Sequence, residues 1–450
     1  MFENKKVFIL GLARSGFAAA KYLIKHNNEV VLNDGKEEDK LDKNQIEELK
    51  SLGVKLIFGS HPDDILDGSF DYLIKNPGVP IDHKYVLKAR ELGIEVINEA
   101  EMAFRLLPEG VKLIAITGTN GKTTTTTLTY EIMKEYYKEK VFLTGNIGFP
   151  MTDLLGKVKS GDIIVMEVSC QQLENMSKFK PNVGLITNFS PAHIDFLKSY
   201  ENYKRVKAKI FQNQTSEDIA IVNAENEDVL NVTKDIKSTR LYFSSKKKVE
   251  GSYLEGNDIY YNGEYVLSRD DIKIAGMHNV ENVMAATAIV KQFDVPSEVI
   301  KKVVSNFKGV EHRLEFSGEV NTRRFYNDTE ATNIKCTQIA LSSFDQDTFI
   351  ILGGLERGQV FEDLIPFMKN VKGILAIGSC RDRVKEFGDK LGIPTIVHEY
   401  LKDGFKELYD MSTPNSVILL SPGSASWDQY KECEVRGAEF KNLVKELQNK

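Results

Sequence analysis

The segment ITGTNGKTTTTT, which begins at Ile116, contains the residue types of a loop that binds nucleotide phosphates. Gly118 and Gly121 would let the backbone approach a ligand closely, and N–H groups at the start of a helix bind phosphate oxygens. Lys122 would neutralise the β- and γ-phosphates, while the hydroxyl of Thr123 can bind Mg²⁺. Ile116 stands where the usual G-x-x-x-x-G-K-[ST] motif has its first glycine, so the loop is a shortened variant. A purely structural glycine turn is the alternative, but the order strand, loop, Lys, Thr and helix favours phosphate binding.

Polar side chains that could bind a metal ion follow the next two apolar segments. Glu167 lies just past the end of the apolar strand predicted in DIIVMEVS, and His193 and Asp195 come after VGLITN. Ligands of an open parallel sheet gather at the carboxyl ends of its strands, so Glu167 and His193 could share one Mg²⁺ beside the loop. A single histidine is more often structural than a ligand. Its place after a strand end favours the ligand here.

Composition narrows the class of protein. The 450 residues carry a net charge of -6, which argues against nucleic acid as a partner. The four cysteines, at positions 170, 336, 380 and 433, form no C-x-x-C pair, as expected for reduced thiols in a cytoplasmic enzyme. No segment approaches the ~18 consecutive apolar residues of a membrane span, so no membrane insertion is expected.

Apolar strands alternate with helical segments along the whole chain, which predicts an α/β protein. We expect three domains, at residues 1–97, 98–309 and 310–450. The first contains KKVFILGLARSG, a strand followed by a glycine turn and a helix, and predicts a Rossmann-like fold. The second contains the phosphate loop and predicts a P-loop ATPase-type parallel sheet, with a hairpin at GSYLEGNDIYYNGEYVLS. The third is again Rossmann-like.

A series of motifs resembles the Mur ligase family, the ATP-dependent amino-acid ligases of peptidoglycan precursor synthesis. In chain order they are ITGTNGKTTT, EVSCQQLE, NFSPAHID, YKRVKAKI, GMHNVENVMAA, EHRLE and YNDTEATN. The segments GLARSG and LLSPGSASWDQYKECEVRGAEF are similar to those of the branch that adds D-glutamate. The resemblance covers nearly the whole chain, and the combination of motifs is far more specific than any one of them.

The resemblance implies a reaction in which D-glutamate is joined to UDP-N-acetylmuramoyl-L-alanine. ATP would activate the substrate carboxylate as an acyl phosphate, and the amine of D-glutamate would then attack it. Two Mg²⁺ sites and a monomeric enzyme are expected. Closure of the third domain could complete the ATP site, because His312 and Arg313 lie at the second domain boundary.

The resemblance also assigns roles to individual residues around ATP. The expected catalytic residues are Lys122, Glu167, His193 and Lys207, and the expected metal ligands are Thr123, Glu167, His193 and Lys207. The expected ATP-binding residues are Gly118, Thr119, Asn120, Gly121, Lys122, Thr123, Thr124, Asn282, Arg313 and Asp328. Lys207 aligns with a lysine that is carbamylated in the family. Lys209 is the competing choice, but the spacing from His193 and Tyr203 favours Lys207.

The two other substrates have their own expected contacts. The UDP substrate is expected at Ser15, Asp34, Asn76, Gly78, Asn146 and His193, where Gly11 and Gly16 form the turn. D-Glutamate is expected at Thr332, Arg357 and Ser426. Glu330 stands where many members have lysine and should not be a ligand, since an acid cannot neutralise a substrate carboxylate. Arg357 replaces a lysine, and Cys433 stands where an aromatic residue is common.

Other functions explain less of the sequence. A Mur ligase with a different acceptor, such as L-alanine, a dibasic amino acid or a dipeptide, is the nearest alternative. A nicotinamide dehydrogenase would fit the first domain but leaves the phosphate loop, Glu167 and His193 unused. A binding-only relative is opposed by the intact Lys122, Glu167, His193 and Lys207 set. A folylpolyglutamate synthase would lack a use for the first domain.

Overall fold

The computed structural model describes residues 2–190 and 197–449, which form two compact units. The first unit comprises residues 1–268 and 281–303, and the second comprises residues 269–280 and 304–450. Both units are built from mixed helices and largely parallel sheets, so the α/β class is confirmed. The domain limits near residues 97 and 309 stay a prediction. Among the described residues, no helix combines the length and apolar character needed to cross a bilayer.

The first unit begins with a five-stranded parallel sheet in the order β3-β2-β1-β4-β5. Its strands are β1 Lys6–Leu10, β2 Glu29–Asp34, β3 Lys55–Phe58, β4 Tyr72–Lys75 and β5 Glu95–Ile97. Its helices are Arg14–Lys25, Lys43–Ser51, Lys84–Glu91 and Glu99–Phe104, with a 3-10 turn at Glu38–Lys40. The strand order reverses between β1 and β4, and ligands of such sheets bind where this happens.

The same unit contains a nine-stranded sheet in the order β14-β13-β12-β11-β10-β9-β6-β8-β7. Its strands are β6 Lys112–Thr117, β7 Val141–Gly145, β8 Ile163–Glu167, β9 Val183–Ile186, β10 Ile219–Asn223, β11 Thr239–Ser244, β12 Gly251–Glu255, β13 Asp258–Tyr261 and β14 Glu264–Ser268. Strands β6 to β12 are parallel to one another. Strand β13 is antiparallel to both β12 and β14. The hairpin is thus found where its sequence predicted it. Asn262 and Gly263 form the last turn with φ of 48° and 91°, as an Asn-Gly turn requires.

The helices of this part surround the sheet. They are Lys122–Tyr137, Cys170–Leu173, Tyr200–Ala208 and Glu227–Val232, with 3-10 turns at Lys138–Lys140, Met151–Leu154, Lys209–Phe211 and Lys291–Phe293. The helices Met277–Val290 and Ser297–Asn306 each have residues in both units, and the 3-10 turn Arg269–Asp271 belongs to the second. The threonine-rich segment forms the start of the 16-residue helix after Gly121. Threonine is a mediocre helix former, but Thr125, Thr126 and Thr129 are buried against the protein. Packing therefore stabilises a helix that intrinsic propensity would not favour.

The second unit contains a six-stranded sheet in the order β15-β16-β20-β17-β18-β19. Its strands are β15 Glu315–Val320, β16 Arg323–Asn327, β17 Thr348–Gly353, β18 Val371–Ile377, β19 Thr395–Val397 and β20 Val417–Leu420. Its helices are Ile334–Leu341, Arg381–Lys390, Leu401–Met411 and Cys433–Gln448, with a 3-10 segment at Phe361–Asn370. Only the β15–β16 pair is antiparallel among these strands. Apolar clusters lie on both faces of this sheet and of the five-stranded sheet, as expected for parallel sheets covered by helices.

A buried carboxylate joins the two sheets of the first unit. The side chain of Glu101, in the helix after β5, is fully buried. It accepts hydrogen bonds from the backbone N–H groups of Lys178 (2.7 Å) and Phe179 (3.1 Å). It also pairs with Arg105 at 2.8 Å, whose side chain is only 6% exposed. Arg105 forms a second ion pair with Glu95, whose side chain is 43% exposed.

Replacing Glu101 by Ala is expected to destabilise the first unit strongly. The change would leave the buried Arg105 cation without its buried partner and two N–H groups without an acceptor, at a cost of about 3–5 kcal/mol. The exposed partner provides a matched control, since Glu95→Ala should cost less than about 1 kcal/mol. Urea unfolding followed by circular dichroism measures both. Equal midpoints for the two variants would contradict the importance given to Glu101.

Candidate active site

The phosphate loop follows β6, between the neighbouring strands β8 and β9. Its two glycines have positive φ, 144° at Gly118 and 79° at Gly121. A β-carbon at Gly118 would lie 1.9 Å from the hydroxyl oxygen of Thr187, and one at Gly121 would lie 2.3 Å from Oδ1 of Asn282. Neither position can hold a larger residue without moving the loop. Glycine is therefore required on both conformational and steric grounds.

The loop backbone is fixed by the residues that follow β9. The N–H of Thr119 donates to the carbonyl of Asn188 at 2.8 Å, and the N–H of Asn120 donates to its Oδ1 at 3.1 Å. The hydroxyls of Thr119 and Tyr203 are hydrogen-bonded at 2.8 Å. Since these two amides are used within the protein, phosphate-binding amides would come from the first turn of the helix that begins at Lys122, where N–H groups lack helical partners.

Glu167 lies at the end of β8 with its side chain buried. Its Oε1 accepts a hydrogen bond from Nδ2 of Asn146 at 2.8 Å. Its Oε2 is buried and has no hydrogen-bond partner among the described residues. A buried carboxylate oxygen without a donor is costly unless it meets a cation. Carboxylate oxygen is also the donor that Mg²⁺ prefers, so Glu167 fits a magnesium site.

Lys207 lies on the helix Tyr200–Ala208 and is 1% exposed. Its Nζ donates to the hydroxyl of Thr117, the last residue of β6, at 3.1 Å. Burial, and then the nearby cation of Lys122, lower the pKa of the Lys207 amine to about 7, against the opposing effects of Cys170 and Glu167. With this pKa, a large fraction of the amine is neutral at physiological pH.

Lys209, the competing lysine, has a different environment. It is half-buried, and its Nζ donates to the backbone carbonyl of Glu174 at 2.6 Å. Of the two lysines, Lys207 is therefore the one whose amine contacts the strand that leads into the phosphate loop.

The remaining expected residues of this site divide into described and undescribed ones. Asn282 contacts the loop, and its Oδ1 accepts from the hydroxyl of Thr125 at 3.2 Å. Thr123 and Thr124 are half-buried in the first turn of the helix. His193 and Asp195 lie outside the described residues.

A second group of expected residues meets at the carboxyl edge of the five-stranded sheet. The amide of Asn76, after β4, donates to the hydroxyl of Ser15 at 3.1 Å. Asp34, at the end of β2, accepts from the N–H of Leu12 at 2.7 Å. A β-carbon at Gly16 would lie 2.1 Å from the carbonyl oxygen of Gly11. Ser15, Asp34 and Asn76 thus surround the point at which the strand order reverses.

The loop after β4 is held by a buried lysine that the sequence did not single out. Lys75 donates from Nζ to the carbonyls of Val79 at 2.7 Å, and of Asn76 and Pro77 at 3.3 Å each. The N–H of Gly78 donates to Oδ1 of Asn76 at 3.0 Å. Burial is the main cause that lowers the pKa of Lys75 to about 8. The only sequence signal for Lys75 was its position as the last residue of an apolar strand.

In the second unit, Asp328 follows β16 and is 8% exposed. It accepts from the hydroxyl of Ser421 at 2.7 Å and from the N–H of Leu314 at 3.2 Å. Burial raises the pKa of Asp328 to about 7, and these hydrogen bonds oppose the rise. Nearby, Arg313 pairs with Glu330 at 3.2 Å. The acid at position 330 therefore has a cationic partner within the unit.

The three residues expected to meet D-glutamate follow neighbouring strands of the second unit. Thr332 is exposed after β16, and Arg357 is exposed after β17 with its guanidinium 4.6 Å from the ring centre of Trp427. Ser426, after β20, is 1% exposed, and its hydroxyl has no hydrogen-bond partner among the described residues. Because β16, β20 and β17 are adjacent and parallel, their carboxyl ends bring the three loops together.

Sequence reasoning assigned no role to several residues that fix these loops. Tyr203 and Asn188 hold the phosphate loop, Thr117 contacts Lys207, and Trp427 stacks on Arg357. Asn188 had a usable signal, since it is a polar residue just beyond a buried strand. Nothing in the sequence marks the stacking of Trp427 on Arg357.

Known proteins resemble this chain over its full length. Residues 5–98 match the Mur ligase MurD-like N-terminal domain, and residues 116–290 match the Mur ligase middle domain. A UDP-N-acetylmuramoylalanine–D-glutamate ligase of Geobacillus kaustophilus is 41% identical in an alignment of 450 residues, which covers 99% of this chain and 98% of that protein. The ligase of the same name from Enterococcus hirae is 41% identical over 449 residues, covering 99% and 97%.

Solved structures share the fold at much lower identity. The UDP-N-acetylmuramate-alanine ligase of Thermotoga maritima has a TM-score of 0.59 at 19% identity, and covers 98% of this chain and 99% of its own. A pseudomurein peptide ligase type C from Methanothermus fervidus has a TM-score of 0.55 at 17% identity, covering 98% and 100%. With full-length relatives at 41% identity, the chain belongs to the Mur ligase family.

Proposed function

We propose that this Mur ligase uses ATP to join D-glutamate to UDP-N-acetylmuramoyl-L-alanine. The observation that carries the reaction class is the arrangement of Lys122, Glu167 and Lys207 around the carboxyl ends of β6 and β8. The substrates follow from the name of the full-length relatives. The product is an intermediate of peptidoglycan synthesis.

The reaction has two chemical steps. A carboxylate oxygen of the alanyl group attacks the γ-phosphorus of ATP, ADP leaves, and an acyl phosphate forms. The amine of D-glutamate then attacks the acyl carbon to form a tetrahedral intermediate, which expels phosphate while the nitrogen loses a proton. A carboxylate is a poor electrophile, and the phosphoryl group provides the leaving group. The protein contributes positioning and neutralisation of negative charge.

The proposed ATP-binding residues begin with the phosphate loop. Lys122 neutralises the phosphates, and the first turn of its helix supplies N–H groups. Asn282 supports the loop at Gly121. Arg313 and Asp328 are further proposed ATP-binding residues. The further residues of the loop are Gly118, Thr119, Asn120, Thr123 and Thr124.

Thr123, Glu167, His193 and Lys207 would hold Mg²⁺, at two sites. When bound, the metal polarises phosphoryl oxygens and neutralises their charge. The unpartnered oxygen of Glu167 supports this role. Lys207 becomes a ligand by carbamylation, in which its neutral amine adds to CO₂, a proton is released and a carboxylate-like group forms. A pKa of about 7 supplies the neutral amine that this addition needs.

The UDP substrate would bind at Ser15, Asp34, Asn76 and Gly78, with its muramoyl-alanine part near Asn146. The hydrogen bond of Asn146 to Glu167 supports a position for this part of the substrate beside the proposed metal ligand. Arg14 adds a link, since its Nη1 donates to the carbonyl of Gly148 at 3.2 Å. We propose that the enzyme is a monomer.

D-Glutamate would bind at Thr332, Arg357 and Ser426, a hydroxyl, a guanidinium and a second hydroxyl. The buried hydroxyl of Ser426 lacks a partner among the described residues, which favours a ligand there. Stacking on Trp427 orients the guanidinium of Arg357 and leaves its N–H groups free to donate in the plane. Glu330 is not a ligand in this scheme, because it pairs with Arg313.

The first test is phosphate release from ATP with Mg²⁺ and UDP-N-acetylmuramoyl-L-alanine. D-Glutamate, L-glutamate, L-lysine and meso-diaminopimelate are offered separately, and products are identified by mass. Release with D-glutamate alone, together with the UDP dipeptide, is expected. Release with another amino acid would overturn the acceptor and keep the ligase mechanism, whereas no release with any of them would favour a binding-only relative.

Lys122→Ala should lower kcat at least about 100-fold, because one preorganised cation at the transferred phosphoryl group is removed. Lys134→Ala is the matched control. Lys134 lies on the same helix and is exposed, and its Nζ donates to the hydroxyl of Tyr130 at 3.1 Å. Its activity should be unchanged. Near-normal turnover by Lys122→Ala would sink the phosphate-loop assignment.

Lys207→Ala should lose at least about 100-fold in kcat, by analogy with removal of a group that stabilises charge, and short carboxylates such as acetate should restore part of it. In ¹³C NMR with ¹³C-bicarbonate, the wild type should show a carbamate resonance that is absent from Lys207→Ala and present in Lys209→Ala. The resonance should weaken as the pH falls below about 7, since protonation of the amine removes the nucleophile. Full activity of Lys207→Ala would exclude the carbamate role.

A further inference from the structure

Arg436 is a buried cation near the start of the helix Cys433–Gln448. It is 1% exposed and is among the largest fully buried side chains of the described residues. No carboxylate within residues 2–190 and 197–449 forms an ion pair with it. Burial lowers the pKa of its guanidinium to about 10, so it stays protonated at neutral pH. Asp428 opposes this lowering of the pKa from beyond ion-pair distance. A buried charge without a directly paired counter-charge is costly, which calls for a reason to keep it.

Its hydrogen bonds join loops that are distant in the sequence. Nε donates to the hydroxyl of Thr329 at 3.0 Å, and Nη2 donates to the carbonyls of Thr329 at 3.0 Å and Ser424 at 3.2 Å. A β-carbon at Gly354 would lie 3.2 Å from Nη1. One guanidinium therefore bonds to the loops after β16 and β20 and lies close to Gly354 in the loop after β17; these are three neighbouring strands of the second unit.

Each of these loops carries one residue of the proposed acceptor site. The Thr329 loop continues to Thr332, the Ser424 loop to Ser426, and the Gly354 loop to Arg357. The last two loops are also bonded directly, since the N–H of Leu355 donates to the carbonyl of Ala425 at 2.8 Å. Moving Arg436 would shift all three residues relative to one another.

We propose that Arg436 is a positioning residue of the acceptor site, which sets the spacing of Thr332, Arg357 and Ser426 and adds positive charge behind them. The assignment rests on the proposed function, because it takes the acceptor to be a dicarboxylate. A fixed cation in a water-poor site interacts strongly with an arriving anion. Binding of the acceptor would then offset part of the cost of burying the guanidinium.

The fork geometry matters as well as the charge. The guanidinium donates in several directions in one plane, whereas a lysine ammonium is a point charge on a flexible stem. Arg436→Lys keeps the charge and loses the simultaneous bonds to Thr329 and Ser424. Arg436→Gln removes the charge and keeps some hydrogen bonding. The pair of variants therefore separates the two contributions.

The experiment measures steady-state kinetics of the full-length enzyme, with each of the three substrates varied in turn. Arg436→Lys should raise KM for D-glutamate about tenfold, and Arg436→Gln about 100-fold, as expected for losing one and then several charge-assisted interactions. The KM values for ATP and the UDP substrate should change less than about twofold, within the scatter of surface substitutions.

Arg323→Lys is the matched control, since Arg323 also lies in the second unit and donates from its guanidinium to the carbonyl of Ser412 at 2.8 Å. It should leave the KM for D-glutamate unchanged. If Arg436→Gln fails to fold, Arg436→Lys alone decides. An unchanged KM for D-glutamate, or an equal rise in all three KM values, would overturn the proposal. Failure of the wild type to use D-glutamate would instead overturn the proposed function.

Discussion

The conformation of the loop after β6 depends on the absence of a side chain at two positions. Gly118 and Gly121 bring the phosphate loop so close to Thr187 and Asn282 that any β-carbon would overlap them. This contact fixes the loop against the ends of β6 and β9, and thereby fixes the start of the helix at Lys122. The orientation of the N–H groups in that first turn, which we propose to bind phosphate, is set by this packing.

Around this fixed loop, the protein concentrates charges that are unfavourable on their own. Burial and the nearby Lys122 cation both lower the pKa of Lys207. Glu167 has a carboxylate oxygen with no donor among the described residues. Such groups cost stability in the free protein. The proposed phosphate, metal and carbamate would give each of these groups a partner of opposite charge.

The second unit also buries polar groups that are costly on their own, but here the buried charge is a cation. Arg436 is a buried cation that bonds to backbone carbonyls and a hydroxyl, and the hydroxyl of Ser426 has no partner among the described residues. Three adjacent strands deliver their loops to one edge of the sheet, and a single planar side chain holds the loops together. The parallel topology explains why residues about 100 positions apart, such as Thr329 and Arg436, can form one structure.

The sequence by itself determined the α/β class and the family, because strand periodicity, glycine turns and ordered motifs are local properties of the chain; the phosphate-binding role of the loop after β6 stays a prediction. It also ranked Lys207 above Lys209 from spacing, but only the structure shows that Lys209 bonds to Glu174 and that Lys207 contacts Thr117. The pairing of Glu330 with Arg313 and the burial of Arg436 were decided by the tertiary structure alone. Burial and pairing depend on which distant segments meet, and no local pattern in the sequence encodes those contacts.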